Sequence, residues 1–239
     1  LSMKIHRFFI QDLSLKKEEK TLILTDKEVI HQIVKVLKLK IGEQLAFCDG
    51  QNREVICILE SIDKKELTLK VIEYKELPQK DRQTILYLAI LKRENFELAV
   101  QKSAEIGVDK LVPIITDKTV KTGINLERLN KISKEACELS GRGTMMSVEP
   151  VIKFSESIKQ AKENDVNLFF APGGKEFVPN QTIDNKAQKV GLFIGPEGGW
   201  SDGEILIAKE KSFQIVGIGK NVLRGETAAV VASFLTVNY

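Results

Sequence analysis

Apolar positions change their spacing partway along this chain, and the change divides it in two. Up to about residue 74 the apolar runs are short and alternate with polar positions, the period of half-buried strands. Lys4 to Ile10 is an extended run, Gln44 to Cys48 and Glu54 to Leu59 flank the turn pair Asp49-Gly50, and Leu67, Leu69 and Val71 alternate with polar neighbours. These predict a small β-barrel over residues 1–74. One helix interrupts it: Ile30, Ile33, Val34 and Leu37 share a face, Thr25 and Glu28 form its capping box, and Gly42 closes the segment.

Residues 75–82 are polar, contain Pro78 and read as a linker. Beyond them strand and helix patterns alternate, which predicts an α/β domain with a parallel sheet over 83–239. Thr84 to Leu91 is continuously apolar, as in a strand covered on both faces. Phe96, Ala99, Val100 and Ala104 make a helix ended by Gly107, and Leu111 to Ile115 is the next strand. Leu126, Leu129, Ile132, Ala136 and Leu139 space a second helix stopped by Gly141, and Ser155 to Lys162 a third. Strands at Val166 to Ala171, Val190 to Ile194 and Phe213 to Val216 follow, with a helix capped by Ser201 and Glu204 before the last. Glu226 to Val237 is apolar nearly all round, so it is expected to lie in a core or an interface.

Composition narrows the chemistry. The 239 residues are 43% hydrophobic and 29% charged, a globular balance, and no stretch reaches the roughly 18–20 apolar residues of a membrane helix. No apolar signal core opens the chain, and Leu1 and Ser2, ahead of Met3, read as an expression remnant. Cys48, Cys57 and Cys137 are odd in number and widely spaced, which suits neither a disulfide framework nor a metal pair and predicts a reduced, cytoplasmic setting. With His6 and His31 the only imidazoles, a zinc site or a Ser-His-Asp triad lacks its material, and no metal is expected. A net charge of +3 permits a nucleic-acid partner without demanding one.

Two segments carry candidate chemistry, each following a buried strand where open α/β sheets bind ligands. In Ile194-Gly195-Pro196-Glu197-Gly198-Gly199-Trp200-Ser201 the glycines let the backbone approach a ligand. The same residues would also make a tight strand-to-helix connection. In Val216 through Ala228, three glycines precede Arg224 and Glu226 at the mouth of an apolar helix, a costly place for unpaired charge. That pair serves either a ligand or a structural ion pair at the helix start. A P-loop is excluded, because Asn221 stands where Ser or Thr is required and Gln214 where glycine is; a dinucleotide fingerprint after the first α/β strand is absent too. Arg7, Lys35, Lys38, Lys92, Arg93 and Arg142 are candidate phosphate contacts, although charged helix faces are often simply solvated. Arg142 stands apart in the turn Ser140-Gly141-Arg142-Gly143.

Taken together these residues resemble the RsmE family of ribosomal RNA methyltransferases, in the SPOUT superfamily. The similarity runs from Arg7-Phe8-Phe9 through Lys92 and Arg93 with Glu97, Lys102, Glu105 and Gly107, then Glu138, Ser140, Gly141 and Arg142, to the segments from Ile194 and from Val222. The resemblance implies a PUA-like barrel that docks on RNA and a SPOUT domain whose C-terminus threads a trefoil knot. It implies a homodimer that uses S-adenosyl-L-methionine to methylate N3 of one uridine in 16S ribosomal RNA of the small subunit. By the same resemblance the cofactor loops are Ile194, Gly195, Pro196, Glu197, Gly198 and Gly199, then Ile218, Gly219, Val222 and Leu223. Lys35 and Lys38 stand where the family tends to have arginine, keeping charge without the bidentate fork. On chemical grounds Arg224 is expected to stabilise charge on the uracil carbonyls, and Glu226 to orient Arg224 or assist proton removal. The rival readings are a non-enzymatic RNA-binding ribosome-assembly factor and an enzyme of small nucleotides.

Overall fold

The computed structural model describes residues 5–10, 19–78 and 80–239. Leu1 and Ser2, Lys4 at the start of the expected first strand, and Gln79 in the expected linker lie outside the described residues. The chain divides into two compact units: one runs to Gln79 and includes Cys137–Met145, the other holds Lys80–Ala136 and Met146–Tyr239.

The first unit contains β1 (His6–Phe9), β2 (Thr21–Leu24), α1 (Lys27–His31), β3 (Gln44–Cys48), β4 (Arg53–Ile62) and β5 (Leu67–Glu76). Among the described residues they form a five-stranded sheet in the order β1-β3-β4-β5-β2, antiparallel except for β1 beside β3. Every strand and the helix send side chains into one cluster, with Phe8, Phe47, Leu59, Leu69, Val29 and Ile33 among its members. Alternation decides who enters: in β2, Leu22 and Leu24 are buried while Thr21 and Ile23 are exposed. Sequence pattern alone misses β2, because four residues are too few for a period of two to stand out.

The helix starts one residue later than expected. Asp26, not Thr25, is the N-cap, accepting from the backbone of Glu28 (2.9 Å) and Val29 (3.1 Å). Gln32–Val36 continues it as a π-helical turn, a wider coil that brings Leu37 N to Gln32 O (2.9 Å).

The second unit contains β6 (Gln83–Ala89), α2 (Arg93–Ile106), β7 (Lys110–Ile115), α3 (Leu126–Ser140), β8 (Ser147–Val148), β9 (Ile152–Lys153), α4 (Phe154–Gln160), β10 (Val166–Glu176), α5 (Pro179–Thr182), β11 (Lys189–Ile194), α6 (Asp202–Glu210), β12 (Gln214–Gly217) and α7 (Gly225–Asn238). Its strands run parallel in the order β12-β10-β11-β6-β7-β8, with β9 also on β7. From Thr84 to Leu91 every residue is buried, as a central strand covered on both faces requires. Gly107 closes α2 with φ 117°, a conformation that any side chain would strain. The box of Ser201 and Glu204 opens α6 as expected.

One expectation needs correction. The spacing puts Leu139 on the apolar face of α3, yet it is 68% exposed, while Cys137 and Glu138 are buried instead. The last turn of α3 belongs to the first unit, where Glu138 Oε1 accepts from Phe9 N at 2.9 Å, so the face that packs changes there. The last helix, α7, is expected from its composition to lie in a core or an interface. Its buried side is Gly225, Glu226, Ala229, Ala232, Ser233 and Thr236, and Phe234 on the other side is 47% exposed.

Candidate active site

Parallel strands end together, so the irregular stretch of β10 between Phe170 and Lys175 and the loops that leave β11 and β12 stand side by side at the carboxyl edge of the sheet. They enclose a cleft of about 680 Å³ with walls drawn from 170–174, 194–200 and 217–225. A volume of this size holds a compact small molecule. Glycines make the walls thin. A Cβ on Gly174 would lie 2.5 Å from the carbonyl carbon of Val216, so the backbones of β10 and β12 approach as only glycine allows. At Gly195 a Cβ would meet the Trp200 ring at 3.0 Å. That ring is locked: Nε1 donates to Phe170 O (2.9 Å, buried), and the ring packs on Phe169 with centroids 4.3 Å apart. Gly199 (φ 67°) and Gly219 (φ 66°) supply the left-handed turns that return each loop, and both face open space.

All ten residues expected to face a cofactor lie on these walls: Ile194, Gly195, Pro196, Glu197, Gly198 and Gly199 on one, Ile218, Gly219, Val222 and Leu223 on another. Arg224 joins them as the exposed N-cap residue of α7. Sequence reasoning missed the third wall, Phe170 to Gly174. The signal was present, since Ala171-Pro172-Gly173-Gly174 follows a buried apolar strand as the other two loops do.

Glu226 stands elsewhere. It is 8% exposed in the first turn of α7, is not on the cleft wall, and its Oε2 has no hydrogen-bond partner. Of the two readings of this pair, the structural ion pair of Arg224 with Glu226 is not formed among the described residues: Arg224 is exposed on the cleft wall and Glu226 is buried away from it. Cys48 and Cys57 are poor nucleophiles: burial pushes their thiols up to about 12. Among the described residues no cluster of His, Cys, Asp or Glu could hold a metal, and no helix is long and apolar enough to cross a membrane.

The basic candidates separate into tied and free. Arg7 Nε donates to Glu54 Oε1 at 2.6 Å, and Glu54 is only 2% exposed, so Arg7 neutralises a buried carboxylate within the first unit. Arg142 donates to Thr144 Oγ1 (3.3 Å). Arg93 pairs with Glu97 (3.1 Å). The Arg128 guanidinium, with Arg93 beside it, holds the Glu97 carboxyl down at about 2. Lys35 and Lys38 are exposed, as is Lys92, whose backbone N donates to Glu197 Oε1 on the cleft wall (2.9 Å).

Known proteins share both units. Residues 78–236 match the RNA methyltransferase domain family and residues 24–72 the RNA methyltransferase PUA domain. The ribosomal RNA small subunit methyltransferase E of Rickettsia conorii is 30% identical over 96% of this chain and 94% of its own, and that of Mesomycoplasma hyopneumoniae 31% over 95% and 96%. Among solved structures, the ribosomal RNA small subunit methyltransferase E of Neisseria gonorrhoeae, bound to S-adenosyl methionine, superposes with a TM-score of 0.84 at 26% identity, covering 96% of this chain and 95% of that one. A Legionella pneumophila methyltransferase in complex with the same cofactor gives 0.84 at 27%, covering 97% and 96%. With the architecture, both domain matches and near full-length identity in agreement, the chain belongs to the ribosomal RNA small subunit methyltransferase E family of RNA methyltransferases.

Proposed function

We propose that this protein transfers a methyl group from S-adenosyl-L-methionine to N3 of a uridine in 16S ribosomal RNA of the small subunit, with the cofactor in the cleft of the second unit. The observation that carries this reading is the convergence of three glycine-rich segments on one cleft in a fold whose relatives are solved with that cofactor. The cleft fits such a group, because thin glycine walls leave backbone N–H and C=O groups for a purine and ribose, while Ile194, Ile218 and Leu223 offer apolar contact. An RNA-binding assembly factor without catalysis has no use for it.

S-adenosyl-L-methionine supplies an electrophilic methyl when bound. Uracil N3 carries a proton and becomes nucleophilic only when that proton leaves, so the protein's work is positioning and charge stabilisation. Arg224, at the lip of the cleft, stabilises negative charge on the uracil carbonyl oxygens. Glu226 lies buried off the cleft wall with Oε2 lacking a donor, so proton removal by it needs a group that relays the proton from the cleft.

Titration calorimetry with S-adenosyl-L-methionine tests the cofactor site. Binding is expected in the micromolar range, and Gly198→Val should abolish it, because even a Cβ at Gly198 lies 3.3 Å from Lys118 Cβ. Wild-type protein that shows no heat would sink the reading.

RNA docking is assigned to exposed Lys35, Lys38 and Lys92, whereas Arg7, Arg93 and Arg142, the other candidate contacts, each already hold a partner within the protein. Replacing Lys35 and Lys38 by Gln is expected to weaken RNA binding and to lower the slope of log K against log salt by about 1 for each phosphate that is no longer neutralised. An unchanged slope would remove them from the interface. The half-exposed apolar side of α7 supports a homodimer, for which sedimentation should return the mass of two chains. The packing of α7 back onto β6, β11 and α2, after β12 at the sheet edge, supports a C-terminus threaded as a trefoil knot. Action on ribosomal RNA supports a cytoplasmic location.

A further inference from the structure

The wall that carries Gly198 and Gly199 is held from outside the cleft by the turn that follows β7. Thr116 to Thr119 close on themselves, with Thr119 N on Thr116 O (3.1 Å) and Thr116 N on Thr119 Oγ1 (3.0 Å). Three bonds cross from this turn to the segment after β11. Lys118 Nζ donates to Trp200 O (2.9 Å), Ser201 Oγ donates to Asp117 Oδ2 (2.5 Å), and Asp117 N donates to Glu204 Oε1 (3.0 Å). Glu204 Oε2 accepts from Ser201 N (2.8 Å), and at 3% exposure this carboxylate bridges the two segments with both oxygens satisfied. None of Asp117, Lys118 and Glu204 lines the cleft.

A Gly-Gly loop has more freedom to lose on binding than any other, so whatever orders it beforehand lowers the cost of ordering it around a ligand. We infer that Asp117 and Lys118 are positioning residues for the methyl donor: they latch residues 197–201 into the shape that lines the cleft, and so set cofactor affinity without touching the cofactor. This rests on the reading of the cleft as the S-adenosyl-L-methionine site.

Trp200 is the one tryptophan of the sequence and sits inside the latched loop, so its fluorescence reports the loop directly. The test compares full-length wild type with Lys118→Met, Asp117→Ala and Asp117→Asn by cofactor titration, by acrylamide quenching of Trp200 without cofactor, and by thermal melting. Lys118→Met and Asp117→Ala should each raise the Kd about tenfold, as for loss of a hydrogen bond to a charged group, and should make Trp200 more quenchable. Asp117→Asn keeps an oxygen for Ser201 and should stay near wild type. Affinity and quenching unchanged in the first two variants would overturn the latch. So would losses that merely track the melting temperature, with Asp117→Asn as damaged as Asp117→Ala. If wild type itself does not bind the cofactor, the reading of the cleft falls, while the quenching comparison still decides whether the turn holds the loop.

Discussion

Arg224→Ala should lower the rate of methyl transfer to 16S ribosomal RNA by about 10²–10³, the effect of removing one preorganised charge-stabilising donor, while leaving S-adenosyl-L-methionine affinity within about twofold. Two features make the split sharp. Arg224 is exposed on the wall of the cleft, so its loss leaves no buried partner uncompensated, and it is the N-cap of α7 without contributing a side-chain cap bond, so the helix start survives truncation. Single-turnover kinetics on small ribosomal subunits would read the chemical step, and calorimetry the cofactor. An Arg224→Ala enzyme that methylates at wild-type rate would refute the role. Glu226→Gln tests proton removal: slowed transfer that recovers as pH rises supports it, whereas full activity across pH makes Glu226 a structural carboxylate of the helix start.

Gly174→Ala should weaken cofactor binding and lower the melting temperature together. The added Cβ would stand 2.5 Å from Val216 C and 2.7 Å from Val216 O, both backbone atoms of a paired strand, so no rotamer can relieve the clash. Overpacking of this kind costs about 1–3 kcal/mol, or roughly 2–12 °C at about 2–4 °C per kcal/mol for a chain of this size. The damage should appear in affinity as well, because β10 and β12 each contribute a wall of the cleft. Gly173→Ala is the matched control. It lies next door at φ 76° with open space around its Cβ position, so it carries backbone strain without a clash. A Gly174→Ala protein that melts and binds as wild type would show that the two strands are not held at this distance in solution.

Much of the second unit is legible because its signals are local. A strand covered on both faces must be apolar throughout, as Thr84 to Leu91 is, and a glycine after a periodic apolar face must end a helix, as Gly107 does. Two of the three cleft walls can be read for the same reason, since loops rich in glycine directly after buried strands sit where a parallel sheet binds ligands. The wall at 170–174 carries the same signal, but within a longer strand whose end the glycines do not mark. The short strand β2 and the Asp26 cap are harder, because four residues show little periodicity and neighbouring Thr25 and Asp26 are both competent caps.

By itself, then, the sequence determined the order of elements, the apolar faces and the loops able to approach a ligand, since each depends on residues a few positions apart. Only the tertiary structure decided which charges are free. Arg7 looks alike in sequence to Lys35 and Lys38, but Glu54, forty-seven residues away, takes it up. Arg224 and Glu226, two residues apart at the same helix mouth, part company, one exposed on the cleft and one buried. The hold of Asp117 and Lys118 on a loop more than eighty residues away was likewise invisible. The reason is physical: whether a charge is paired depends on which side chains the fold brings within hydrogen-bond reach, and along the chain those partners can be any distance away.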